Sequence, residues 1–166
     1  MGVVRDETFE IPVPDRTYWP PGRWNDEPDR VEWITQAGLP GLIFRHPSGW
    51  LCGYVAVPPG HPLHGVSFMD ERMGGLRAHG DINYSAPCFG PICHTPSPGE
   101  SDNVWWFGFD CGHAFDWHPP GHGREAASRA KTPFEREGGF DRYYRDIPYV
   151  KDQVERLACQ LIERAL

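Results

Sequence analysis

The sequence of 166 residues has no apolar run long enough to span a membrane. Its opening, MGVVRDETFEIP, carries charges where a secretory leader needs an unbroken apolar core. Gly2 is not followed by a persuasive acylation signal, because the sixth position is Asp6. There is no basic excess either. Sixteen Lys and Arg stand against 23 Asp and Glu, a formal charge of −7, which argues against a partner built on a phosphate backbone. Cysteine is sparse and odd in number: Cys52, Cys88, Cys93, Cys111 and Cys159 read as thiols or ligands before disulfides. No internal repeat and no low-complexity linker divides the chain. These absences predict one domain over 1–166, a cytoplasmic location, and neither membrane nor nucleic acid as a partner.

What is present is punctuation and aromatic bulk. Nineteen glycines, 18 prolines and 13% aromatic residues predict a loop-rich fold whose loops are ordered by buried rings. Residues 1–24 read as an extended arm anchored by Tyr18, Trp19 and Trp24. NDEPDRVEWITQAG, with Asp26 as a cap and Gly38 as a stop, predicts a short helix. GLIFRHPSGWLCGYVAVP predicts a β-hairpin, Leu42–Phe44 and Leu51–Val57 flanking a His46–Gly49 turn. LRAHGDINYS and VWWFGFDC supply a third and a fourth strand, and 112–144 a long loop. Asp146, Pro148 and the helical spacing of Val150, Val154, Leu157, Ala158, Leu161 and Ile162 predict a C-terminal helix over 147–165. Cys159 on that helix is expected to be a small buried hydrophobe or an edge residue. The expected class is α+β, a small antiparallel sheet of about four strands with the helix on one face.

Seven of eight histidines fall between His61 and His122, close to the most aromatic segment, VWWFGFDCGHAFDWHP. Paired third and fourth strands would bring His79 near Asp110, Cys111 and His113. This chemistry has three versions. Cys88, Cys93, Cys111 and His113 could close a structural zinc site. His79, Asp110 and His113, with Asp116 nearby, could hold zinc or another divalent metal and leave a position open for water or substrate. Cys111 could be a nucleophile with His79 or His113 as base and Asp110 as orienting carboxylate. Alternation places Trp105, Phe107, Phe109 and Cys111 on a core face, so the aromatic residues are chiefly packing.

The order GYVAVPPGHPLHG, HGDINYS, WWFGFDCGHAFD and YRDIPYVKDQVERLACQL resembles a family of uncharacterised bacteriophage and bacterial proteins. Its members carry an HGGLTYS-like segment, a WWFGFDCAHAGD-like segment and a YRDLxYV helix start. The likeness spans Gly53 to Leu161 and implies genomic context more than chemistry. It singles out His61, His79, Gly80, Tyr84, Ser85, Trp105, Asp110, Cys111, His113, Asp116, Tyr144 and Asp146. Asp81 and Phe115 stand where that pattern has glycine, and Cys88 and Cys93 lie outside it.

Three functional expectations stand side by side. The first is a small hydrolase or transferase for a polar metabolite or nucleotide. His79, Asp110, Cys111 and His113 would be catalytic, and Tyr84, Ser85, Trp106, Asp116 and His61 would bind substrate. The second is a non-catalytic accessory protein that binds a host protein or sequesters a small polar ligand. The third has no site, its polar residues serving only to pin loops.

Overall fold

The computed structural model describes residues 14–119, 136–137 and 140–166. The first half of the expected arm and most of the long loop lie outside these residues. Five antiparallel strands form the main sheet: β1 (Arg30–Ile34), β2 (Pro40–Arg45), β3 (Leu51–Val57), β4 (Tyr84–Pro87) and β5 (Trp105–Asp110). They lie in the order β1-β2-β3-β5-β4. Short strands β6 (Asp116–Trp117) and β9 (Tyr143–Tyr144) pair in parallel, and β7 (Arg136–Glu137) pairs with β8 (Phe140–Asp141). Among the described residues one α-helix, α1 (Ile147–Glu163), packs over β2 and β3. The class is α+β and loop-rich, with five strands where about four were expected.

The expected helix after Asp26 is instead β1. Val31 and Trp33 alternate toward the core under α1, while Arg30 and Glu32 bind the loop over the opposite face. Period-two burial of β-branched and aromatic side chains outweighs the local helix signals. Gly38, at φ +85°, closes the β1–β2 turn and not a helix. The β2–β3 hairpin is present with its His46–Gly49 turn, closed by His46 N–H to Trp50 O at 2.8 Å. The expected third strand is shorter than its sequence suggested: only Tyr84–Pro87 pairs, and 76–83 is loop.

The two sheet faces are covered differently. Toward α1, Ile43, Leu51, Val55, Phe107, Phe109 and Cys111 meet Val150, Val154, Leu157, Ala158 and Leu161. A Cβ on Gly53 would lie 2.4 Å from the Phe109 ring and 2.8 Å from Val154, so this glycine sets how closely helix and sheet approach. Away from α1, Leu42, Phe44, Tyr54 and Trp106 form a second layer. A third cluster joins Trp19 and Trp24 to Trp117 and Tyr144, so two of the three expected anchors are buried and Tyr18 is exposed. Cys159 is exposed on α1.

The N-terminus of α1 is held from two sides. Asp146 accepts the Tyr149 N–H at 3.0 Å as an N-cap. Glu27 accepts the Ile147 N–H at 2.6 Å and the Tyr144 hydroxyl at 2.5 Å. The fully buried Arg45 binds Asp29 at 2.9 Å and lies 3.8 Å from Glu27. This network fixes the first turn of α1 relative to the sheet, and the candidate site is built beside it.

Candidate functional site

A turn at Ala78–Asp81 presents the first residue. Asp81 N–H donates to Ala78 O at 3.0 Å, and Gly80 at its third position has φ +63°, the left-handed geometry that favours glycine there. His79, at the second position, is buried. Its Nε2 lies 2.8 Å from Asp116 Oδ2, and its Nδ1 lies 2.7 Å from the Tyr149 hydroxyl. An ionised Asp116 only accepts, so Nε2 donates to it, and Nδ1 faces the Tyr149 hydroxyl.

Asp116 is the hub. Its side chain is fully buried, and Oδ2 accepts from the His113 N–H at 3.1 Å while standing 3.3 Å from His113 Nδ1. Arg145 Nε donates to Oδ1 at 3.0 Å. Burial works against the charge, but the hydrogen bonds from His79, Arg145 and the His113 amide outweigh it and hold the carboxyl below its ordinary range. Arg145 in turn lies over the Tyr149 ring, 4.9 Å from its centroid.

His113 and Asp110 form the exposed side, at 28% and 29% side-chain exposure. Their nearest atoms, Nδ1 and Oδ1, are 3.7 Å apart. Asp110 also accepts from Asn83 at 2.5 Å and from the Gly112 N–H at 2.9 Å. Phe115 is exposed and stacks on His113, 13° between planes. The His79 and His113 rings are 5.7 Å apart. The two polar segments therefore meet, as strand adjacency suggested, but Asp116 is the nearer carboxylate of both histidines, at 2.8 Å from His79 and 3.3 Å from His113, and Asp110 stands 3.7 Å from His113.

Other expected residues have different roles. Cys111 is buried, and burial together with the charges of Asp116 and Asp110 pushes its thiol far up, the opposite of an activated nucleophile. Trp106 is fully buried and donates to Cys88 Sγ, so it offers no stacking wall. Tyr84 packs edge-on against Tyr54 on the face away from α1. Ser85 Oγ accepts the Phe68 N–H at 2.9 Å. His61 spends both ring nitrogens on backbone: Nδ1 accepts from Leu63 N–H, and Nε2 bonds Leu161 O at the far end of α1. Cys88 and Cys93 form a disulfide on the Trp106 face, while Cys111 points into the helix-side core. The expected four-ligand zinc site is thus split across the sheet. The reading of all cysteines as thiols also fails at this pair.

Arg145, Tyr149 and Asn83 were missed. The YRDIPYV segment drew notice for Tyr144 and Asp146; Arg145 lies between them, and Tyr149 one turn on. A cavity of about 220 Å³ adjoins the His79 loop, with Leu76, Arg77, Asp81 and Ile82 in its wall.

Chemically, His79, His113 and Asp116 each offer one ligand atom, and these three atoms all lie within 4.8 Å of one another. Ligand atoms around a tetrahedral zinc with bonds of about 2.0–2.1 Å stand about 3.3 Å apart. The observed Asp116 separations of 2.8 Å and 3.3 Å need only a small opening to admit an ion. Compared with family models, curated proteins and solved structures, the chain matches none.

Proposed function

We propose that this protein is a small metal-dependent hydrolase acting on a polar metabolite or nucleotide. The observation that carries the reading is the convergence of two imidazole nitrogens on one buried carboxylate oxygen, Asp116 Oδ2. Two histidines and one carboxylate form a ligand set that leaves positions for water and substrate. His79, His113 and Asp116 would hold a divalent ion, which would supply Lewis acidity and lower the pKa of a water at the open position.

The chain's own groups divide the remaining work. Tyr149 and Arg145 orient His79 and Asp116 from behind, as outer partners of metal ligands do. Asp110 stands on the open side with a partly exposed carboxylate, in position to accept a proton from an attacking water. Asn83 holds Asp110, and Phe115 offers an exposed ring to a substrate's flat or apolar part. Cys111 takes no chemical part.

A second reading has its own support. Both ring nitrogens of His79 are partnered, by Tyr149 and Asp116, which suits a structural pin between the 78–83 turn and α1. The protein would then be an accessory of bacteriophage type that binds a host protein or a small ligand without turnover. Zinc- or manganese-supplemented assays on chromogenic phosphate and carboxylic esters separate the two. Hydrolysis that disappears in His113→Ala and Asp110→Asn, with unfolding midpoints retained, supports the hydrolase. Identical background rates in wild type and both variants, across that panel, oppose it.

A further inference from the structure

The sheet face turned away from α1 carries a second group of metal-binding atoms. Cys88 and Cys93 flank a turn closed by reciprocal hydrogen bonds between Phe89 and Ile92, at 3.0 and 3.1 Å. His94 follows at once, and its side chain is 2% exposed. Among the described residues, neither of its ring nitrogens has a hydrogen-bond partner. Glu100 Oε1 comes closest as a counter-charge, 3.8 Å from Nε2. A buried imidazole with both nitrogens bare has lost its hydration without compensation, and ligation would supply the missing partner.

The two Sγ atoms and a His94 nitrogen lie within 4.8 Å of one another. Two thiolates and an imidazole suit zinc and similar soft-accepting cations. Contacts other than the disulfide hold the turn. Arg30 binds the Pro91 and Cys93 carbonyls, and Glu32 accepts the Thr95 N–H at 2.7 Å. Trp106 donates its indole N–H to Cys88 Sγ at 3.4 Å and packs edge-on to His94. A hydrogen bond to sulfur of this kind supports a ligating thiolate.

We propose that Cys88, Cys93 and His94 form a redox-gated metal site, with Glu100 as the fourth ligand, which takes a zinc-class divalent cation when the disulfide is reduced. A dithiol reductant gives two electrons and two protons to the disulfide, leaving two thiols and its own disulfide. The cation then displaces both thiol protons into solvent. Reoxidation by a disulfide-class oxidant passes the two electrons to that oxidant, whose own S–S bond breaks to give two thiols with two protons from solvent. The Cys88–Cys93 bond reforms and the cation is released. This site is independent of the one at Asp116, since the two lie on different parts of the fold.

Cobalt(II) titration of phosphine-reduced protein reads the site directly, because only thiolate ligation gives sulfur-to-cobalt charge-transfer absorption. The expected result is a band saturating at one cobalt per chain and absent from oxidised protein. It disappears in Cys93→Ser, weakens in His94→Gln, and persists in Cys159→Ser. Glu100→Gln, a half-exposed change that leaves the fold intact, shifts the ligand-field bands. No band in reduced wild type, the same band in oxidised protein, or unchanged affinity and spectrum in both His94→Gln and Glu100→Gln would overturn the proposal.

Discussion

Replacing Gly80 by alanine tests the site where its geometry is tightest. An ideal Cβ there would lie 2.2 Å from His113 Cε1 and 2.6 Å from both ring nitrogens. Carbon atoms rest about 3.5–4.0 Å apart, so the imidazole must retreat by roughly 1.3 Å or more. That movement breaks the 3.3 Å approach of Nδ1 to Asp116 Oδ2. Two costs combine: about 1–2 kcal/mol for a left-handed alanine and about 1–3 kcal/mol for overpacking. Gly38→Ala isolates the first cost, since Gly38 also has positive φ but nothing lies within 4 Å of its Cβ position. Urea unfolding of both variants should show Gly80→Ala the less stable by about 1–3 kcal/mol, and its zinc affinity should fall. Equal destabilisation with unchanged zinc affinity would refute the placement of His113 over this turn.

Further outcomes can be checked together. Asp116→Ala leaves Arg145 facing an empty position and removes the acceptor of His79 and of the His113 amide; unfolding should show a loss of about 3–5 kcal/mol. Tyr149→Phe removes one hydrogen bond to His79 and should cost about 0.5–1.5 kcal/mol, less in a His79→Ala background, where a double-mutant cycle reads the coupling. His46 and His118 flank Trp50, and burial lowers the pKa of each. A depressed histidine pKa means that the unfolded chain takes the proton first, so their contribution is complete above about pH 6.5 and is lost as pH falls below it. Urea midpoints measured from pH 7.5 down to pH 5 should decline, and less so in His118→Gln. Among the three free cysteines, Cys159 is exposed while Cys52 and Cys111 are buried with raised pKa values. Alkylation of native protein near pH 8, read by peptide mass mapping, should label Cys159 and spare the other two until denaturation.

Much of the fold was legible because its signals are local, a turn or a period. The His46–Gly49 turn marked β2 and β3, alternation gave the faces of β5, and helical spacing with Asp146 and Pro148 marked α1. The segment at Asp26 misled because its caps and glycine are good local helix signals, while the partner that makes Val31 and Trp33 a strand is β2, a tertiary fact. At the site, adjacency of β4 and β5 brought His79 to His113, as their order in the sequence suggested. The identity of the carboxylate was not readable. Asp110 ends a strong strand and drew attention, but the β6–β9 pairing carries Asp116 beneath His79, and two-residue strands leave no sequence period. Cys88 and Cys93 show the same limit, since only the folded turn reveals which thiols meet.

Zinc binding by the oxidised protein tests the central claim most directly, because the disulfide then removes the thiolate site from the measurement. Equilibrium dialysis followed by elemental analysis should find one zinc per wild-type chain, and none above background in His113→Ala, whose altered side chain is partly exposed and whose fold should persist. Oxidised wild type that retains no zinc, or His113→Ala that retains a full equivalent, would contradict a metal centre at His79, His113 and Asp116.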